Sequence, residues 1–513
     1  MADRVRIGLI GAGRRGPQAR NGHTLGGPQN APVRCCGRRT ISLLAELNGP
    51  AGTWQNRRVF GQMSFWACGP RMGTSPIRYG TTDRDSRRLA LGGLGRAMLT
   101  AEENDLLTRV GPGTPCGELL RRYWQPAALS EELPIGGPPV ATRLMGEDLV
   151  LFRDDQCQPG LLGIHCAHRG ADLSYGRLED GGLRCIYHGW LYDRQGRCLE
   201  QPGEPTGSTF HERIRQTAYP CQEVGGIIYT YMGPGAPPLL PPYEFIRVPN
   251  EYRTNAKVFQ DCNYLQSHEG NLDPTHLSFL HRLATDDPES FQALNTECVS
   301  PAIETEETDF GVRIYCVRKV HGDRNYVRVT NYIVPNLCAV SGTEDGYQTL
   351  WHVPIDDTHH WRYMIWFSRA SANPARYFTR SASITPDYRM VRNKGNRYLQ
   401  DRGSMESLAY SGLGTDFLPH DTCVTEGAGP IHDRTREYLG STDKGIVAAR
   451  LVLLRAIRDV RDGREAPAVV RDPGHQWTPN VWARSDVLLP SHVDWHRYWE
   501  DQTAQAQLAT VVG

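Results

Sequence analysis

Cys166-Ala-His168-Arg-Gly-Ala-Asp-Leu173, followed by Cys185-Ile-Tyr-His188-Gly-Trp190, is the stretch of this 513-residue chain on which the fold turns. It holds two Cys-His pairs, with sixteen residues between His168 and Cys185. Four such side chains can bind a 2Fe–2S cluster, the cysteines on one iron and the histidines on the other. Neutral imidazole in place of thiolate makes the cluster less negative and raises its potential. Two Cys and two His also make a tetrahedral structural zinc site. Spacing alone leaves both readings open.

A second group of candidate ligands begins about eighty residues later, in Asn263-Tyr-Leu-Gln-Ser-His-Glu269-Gly-Asn-Leu-Asp273-Pro-Thr-His276-Leu-Ser-Phe-Leu-His281. Two histidines and a distant carboxylate form the facial triad of non-haem Fe(II) oxygenases, which leaves coordination positions open. On a regular helix, five residues turn through about 140°. His276 and His281 can therefore share an ion only if the helix bends or bulges between them. Asp273-Pro274 also reads as a plain helix start, N-cap and first residue. His268 has no partner at a useful spacing and reads as an ordinary polar side chain. Further on, Asp416-Phe-Leu-Pro-His-Asp421-Thr-Cys-Val-Thr-Glu426-Gly-Ala-Gly-Pro-Ile-His-Asp433-Arg434 offers Asp416, Asp421, Glu426 and Asp433 as the third ligand.

The motifs CAHRGADL and CIYHGW, then D-x2-H-x4-H, resemble in sequence and order the oxygenase (alpha) subunits of Rieske non-haem iron aromatic ring-hydroxylating oxygenases. Ala167 and Ile186 stand where that family usually has proline, which loosens two loops and removes no ligand. The last stretch resembles the phthalate dioxygenase-like branch. The resemblance runs from about Met98 to about Val460 and favours the cluster over zinc. It implies Cys166, His168, Cys185 and His188 as cluster ligands. It also implies His276, His281 and Asp421 as ligands of a mononuclear Fe(II), and Asp273 as a bridge to a cluster histidine of a neighbouring subunit. The implied activity uses O₂ and NAD(P)H electrons, supplied through a separate flavin/iron–sulfur reductase or ferredoxin, to hydroxylate or O-demethylate an aromatic, carboxylated substrate. A homotrimer or homohexamer follows from the same resemblance. Two other classes stay open: an electron carrier without the mononuclear iron, and a zinc-stabilised module.

Fifty-seven basic and fifty-seven acidic residues cancel, giving no reason to expect nucleic acid or an anionic membrane as partner. No apolar run approaches the roughly 20 residues that span a bilayer. Fourteen cysteines without regular spacing do not form a disulfide framework, which fits a cytoplasmic protein. Residues 1–97 stand apart, with sixteen Arg, no Lys and four acids. Their Gly11-Ala-Gly13-Arg-Arg-Gly16 resembles the opening of a dinucleotide-binding turn but lacks the helix and the ribose-binding acid that should follow. That segment is expected to be disordered, or an extension upstream of a start at Met98.

From Met98 the pattern is α+β: short helices and a Rieske β-sandwich over 98–233, a proline-rich connector from Pro234 to Pro242, then a catalytic domain over 243–513. Thr100-Ala-Glu-Glu103 is a capping box, and Pro115 opens a helix expected to reach Trp124. Alternation at Val312–Val320, Tyr326–Ile333 and Trp361–Phe367 predicts antiparallel strands with one polar side. Thr442-Asp443 caps a long helix reaching about Val460, with Ile446, Val447, Leu451, Leu454 and Ile457 as its apolar stripe. The resemblance implies that strands curve around that helix in a helix-grip (START-like) fold.

Overall fold

The computed structural model describes residues 98–502 apart from 343–344, 370–371, 373–379, 476–480 and 482–485. Residues 1–97, with the Gly11-Gly13-Gly16 turn, lie outside the described residues. Helix α1 (Ala101–Thr108) opens with the expected capping box: Glu103 N–H donates to Thr100 Oγ1 at 3.1 Å and Thr100 N–H to Glu103 Oε2 at 3.2 Å. Helix α2 (Pro115–Leu120) is shorter than the sequence suggested. Trp124 instead begins strand β1 (Trp124–Leu129), where its indole N–H donates to Pro238 O at 2.8 Å. A buried indole needs that partner, and the helix gives way to supply it.

The strands up to residue 231 form three small sheets. One runs β2 (Val140–Leu144), β3 (Glu147–Arg153), β4 (Pro159–Gly163) and β9 (Ala218–Tyr219). Another is the meander β5 (Arg177–Glu179), β6 (Gly182–Arg184), β7 (Leu191–Tyr192) and β8 (Cys198–Glu200). The third places β11 (Ile227–Tyr231) between β1 and β10 (Cys221–Val224). Between the two four-stranded sheets lies a core of its own, built on Val150, Phe152, Leu162, Leu173, Leu183 and Tyr192. Strands β1 and β11 and both helices belong instead to the larger core that the rest of the chain forms.

That larger part is one antiparallel sheet of eight strands: β12 (Arg253–Gln260), β13 (Ala302–Glu307), β14 (Gly311–Val320), β15 (Arg324–Ile333), β16 (Leu337–Val340), β17 (Gly346–Pro354), β18 (His360–Ser368) and β19 (Val487–Pro490). Their order is β12-β18-β17-β16-β15-β14-β13, with β19 added to β15. The expected polar side is present but does not face solvent: nearly every residue of β15 and β18 is buried, Arg328 and Arg362 included. Both faces are covered, and the polar residues turn into the interior.

Helix α3 (Tyr264–Leu272), α4 (Phe291–Glu297), α5 (Phe417–Gly427) and α6 (Lys444–Arg461) complete the part. Helix α6 packs on β13, β14 and α2. Its buried stripe is Ala449, Val452, Leu453, Ala456, Ile457 and Val460. Leu451, assigned to the stripe from periodicity, is 47% exposed, one position off the face that docks. A buried ion network fixes α3 to α6: Glu269 accepts from Arg434 Nη2 at 2.9 Å and from Arg450 Nε at 2.6 Å. Burial alone would raise Glu269, but the two guanidinium groups outweigh it and hold the carboxyl down at about 2.

Candidate metal centres

The two Cys-His loops meet at one end of the smaller core. Cys166 follows β4, and Cys185 follows β6 directly. Both thiols are 3% exposed, whereas His188 lies at the surface and His168 is half-buried. The loops are shaped by their own backbones: Cys166 N–H donates to Ala171 O and Gly170 N–H to Cys166 O, both at 2.8 Å. Gly189 N–H donates to Cys185 O at 3.0 Å. Gly170 and Gly189 have φ of 73° and 75°, a conformation that side chains other than glycine's resist. Ala167 does not loosen its loop, contrary to expectation. Its N–H donates to Gln216 Oε1 at 2.9 Å, a bond no proline could make, and Gln216 Nε2 donates in turn to Gly163 O and His165 O.

The donor set fits a 2Fe–2S cluster. Burial first, and then the adjacent Cys166 thiol, push the Cys185 thiol up, so two thiols crowd one small space. The His168 and His188 rings lie 4.5 Å apart, and His168 stacks on Trp190 at 4.3 Å. His168 Nδ1 is buried without a hydrogen-bond partner, a lone pair left for a metal. The Tyr192 hydroxyl stands 3.2 Å from Cys166 Sγ, placed to donate to a thiolate.

Among the described residues, one of two groups with metal-ligand geometry is His276, His281 and Asp421, whose ligand atoms lie within 4.8 Å of one another. The expected helix does not run through the first two. Helix α3 stops at Leu272, with Asp273 at its C-cap and not its N-cap, and His276–Ser278 is a short 3-10 turn. Asp273 Oδ1 accepts from Thr275 N–H at 2.6 Å, and Pro274 prevents α3 from continuing. The break resolves the 140° problem, leaving the two rings 4.8 Å apart. Asp421 comes from α5.

Proton positions in this group follow from its partners. Gly414 O can only accept, so His420 Nε2, 3.0 Å away, carries a hydrogen. His420 Nδ1 is then a lone pair, and His281 Nδ1–H donates to it at 3.2 Å. That leaves His281 Nε2 as a bare lone pair, 2.9 Å from Asp421 Oδ1. A lone pair against a carboxylate oxygen repels unless a cation joins them. Metal bonds of about 2.1 Å at a right angle put donor atoms roughly 3 Å apart, so a metal ion fits this edge. Burial holds His281 down to about 4, neutral as a ligand must be. His276 Nε2 lies 3.7 Å from the same Asp421 oxygen. Burial alone would raise Asp421, but His281, Arg362 and His276 hold it far below the usual carboxylate range. Arg362 Nη2 donates to its other oxygen at 3.0 Å. Asp273 Oδ2 is 3.7 Å from His276 Nδ1, which is buried and has no hydrogen-bond partner.

The competing carboxylates are occupied elsewhere. Asp416 caps α5 through Leu418 N–H and accepts from Ser383, while Glu426 accepts from Asp261 N–H and Tyr398. Asp433 caps a short turn at Thr435, and its neighbour Arg434 points inward to Glu269. His268 is not an ordinary polar side chain: it is 1% exposed, burial holds it down to about 4, and neither ring nitrogen has a partner. It lies with Cys338 and His352 in the second such group, wholly in the core. Sequence reasoning also passed over His420 and Arg362. His420 had a signal, its place beside Asp421; Arg362 had none.

A cavity of about 840 Å³ opens beside the triad. Its wall mixes apolar side chains, Phe291, Met364, Trp366 and Phe417 among them, with polar ones that include Asn271, Asp273, Arg328 and Asp486. Arg328 Nη1 donates to Ser341 Oγ and pairs with Asp486.

Comparison with known proteins places these features in company. Residues 123–218 match the Rieske 2Fe–2S domain family and residues 230–512 the LigXa C-terminal domain like family. The phthalate 4,5-dioxygenase oxygenase subunit of Pseudomonas putida is 34% identical over 426 residues, covering 78% of this chain and 95% of that one. The 5,5'-dehydrodivanillate O-demethylase oxygenase subunit of a Sphingobium species is also 34% identical, covering 73% of this chain and 84% of its own. In fold, the chain is similar to the terminal oxygenase of carbazole 1,9a-dioxygenase from Nocardioides aromaticivorans, with a TM-score of 0.50, 19% identity and coverage of 70% and 98%.

Proposed function

The chain belongs to the Rieske non-haem iron oxygenases as an oxygenase subunit, and we propose that it hydroxylates or O-demethylates an aromatic, carboxylated small molecule. The observation that carries this reading is the convergence of His276, His281 and Asp421 on one point at the wall of a cavity large enough for a substituted ring. Relatives named for phthalate and dehydrodivanillate support the substrate class. Cys166, Cys185, His168 and His188 hold the 2Fe–2S cluster in a domain spanning 98–233, and the triad holds Fe(II) in a catalytic domain spanning 243–513. A separate reductase or ferredoxin supplies electrons originating in NAD(P)H. Among the described residues no helix is long and apolar enough to cross a membrane.

When bound, the cluster passes single electrons and the mononuclear iron activates dioxygen beside the substrate. The chain supplies position and charge. His420 orients His281 through Nδ1, and Arg362 holds the Asp421 oxygen that faces away from the histidines. Asp273 Oδ2, 3.7 Å from His276 Nδ1, can accept from its N–H and from a cluster histidine of an adjacent subunit. A homotrimer or homohexamer would bring that histidine into reach. The apolar side chains of the cavity wall, Phe291, Met364 and Trp366 among them, offer surface to the ring. The test is single turnover: a reduced, iron-loaded enzyme given aromatic substrate and oxygen should oxidise its cluster and release hydroxylated or demethylated product. Cluster oxidation without product would reject the reading.

A further inference from the structure

Behind the cavity wall, three hydrogen bonds form a line whose proton positions can be worked out from one fixed end. His360 Nδ1 lies 2.8 Å from Cys262 O, a carbonyl that only accepts, so Nδ1 carries the hydrogen. His360 Nε2 is then a lone pair, 3.2 Å from His352 Nδ1. His352 Nε2 in turn lies 2.8 Å from the Asn271 side-chain amide, at the atom placed as Oδ1. With the oxygen there, His352 must carry its hydrogen on Nε2, and two lone pairs face each other between the imidazoles. With the NH₂ there, every contact joins a donor to an acceptor: Asn271 Nδ2–H to His352 Nε2, His352 Nδ1–H to His360 Nε2, His360 Nδ1–H to Cys262 O. The two ends of an amide have the same shape, and the hydrogen-bond network assigns them. An extra proton shared by the imidazoles would also remove the clash, but the site opposes it. His352 and His360 are both 0% exposed, and burial, then neighbouring groups that include the Arg362 guanidinium, hold His352 well below its usual range. Burial likewise holds His360 down to about 3.

We propose that Asn271 is a specificity-determining residue whose side-chain carbonyl, turned toward the cavity by the His360–His352 line, accepts a hydrogen bond from an O–H or N–H group on the bound aromatic molecule. Asn271 lines the cavity, and the end of its amide away from His352 has no partner among the described residues. The His352–His360 pair is wholly buried and cannot reverse its tautomers without breaking the bond to Cys262 O. The preference is thus built into the core and not left to a rotating side chain. A hydroxyl on the ring is the chemical class this acceptor fits. The identity of the ligand as a substrate rests on the oxygenase reading; the orientation of the amide does not.

Two measurements on the metal-loaded full chain test the two halves separately. Neutron diffraction from deuterium-exchanged crystals should show deuterium on His352 Nδ1 and His360 Nδ1, none on His352 Nε2, and the Asn271 ND₂ facing His352. Deuterium on His352 Nε2 would overturn the proposal, whatever the enzyme does. For recognition, the probes are phenol and its methyl ether, anisole. Asn271→Ala should change the ratio of their dissociation constants by about fivefold against phenol, the size of one net hydrogen bond. An unchanged ratio in a variant that keeps its cluster and its mononuclear iron would overturn the recognition half while leaving the oxygenase reading intact.

Discussion

The two candidate metal centres are built in opposite ways. The cluster loops are short, local and exposed: both histidines reach the surface side, their shape comes from hydrogen bonds within a few residues, and a small separate core supports them. The triad is interior and assembled from far apart: two candidate ligands follow the broken end of α3, the third comes from α5 about 140 residues later, and Arg362 arrives from β18. The difference matches what each must do. A centre that receives and passes electrons gains from an exposed edge, whereas one that handles a reactive oxidant gains from a water-excluding wall. It also sets how each centre should respond to damage.

The largest effect is expected inside. Asp421→Ala should remove the mononuclear iron and essentially all turnover while the visible spectrum of the cluster survives. Loss of the cluster as well would mean that the two regions are not independent. Retained iron would move the ligand to Asp416 or Glu426. Asp273→Asn should come next, with both metal centres loaded and turnover down about a hundredfold, the upper range for a residue that orients a metal-bound histidine. The readout is the rate of cluster re-oxidation with substrate and oxygen present. A normal rate would leave Asp273 as only the cap of α3.

At the cluster, His188→Cys should keep two irons yet lower the reduction potential by roughly hundreds of millivolts, toward an all-thiolate site. An unchanged potential would exclude His188 as a ligand. Stability, by contrast, should be set away from both centres. Glu269→Gln leaves Arg434 buried with a neutral partner, while Arg450 keeps its pair to Glu437, and should cost about 3–5 kcal/mol in denaturant unfolding. Because Glu269 is held down at about 2, its contribution is fully present above the unfolded value near 4.3 and is lost as pH falls through about 2. Wild-type stability should therefore drop over that acid window more steeply than the variant's. Removing residues 1–97 should have the smallest effect: a chain starting at Met98 should keep its metals and its turnover, and loss of either would give that segment a role.

The same contrast explains what could be seen in the sequence. The candidate cluster ligands were legible as a group because all four, with the glycines that shape their loops, lie within 24 residues. The capping box of α1 and the strands β14, β15 and β18 were legible for the same reason, since local pattern and local structure coincide. Reading failed where tertiary partners overruled that pattern. Trp124 left its helix for a carbonyl more than 100 residues away. Asp273 capped the helix behind it and not one ahead. The polar side read for β15 and β18 carries Arg328 and Arg362 into the interior, where Arg362 reaches Asp421. Nothing local distinguishes a polar residue meant for water from one meant for a buried site. His268 shows the same limit, a buried imidazole with no partner at any sequence spacing that would reveal it.

Metal analysis of the purified full chain decides whether one chain holds both centres. Iron should equal the two of the cluster plus one more per chain, with acid-labile sulfide matching the cluster alone. Asp421→Ala should lose only the extra iron. Iron equal to sulfide in the wild-type chain, or zinc in place of iron, would contradict the two-centre reading.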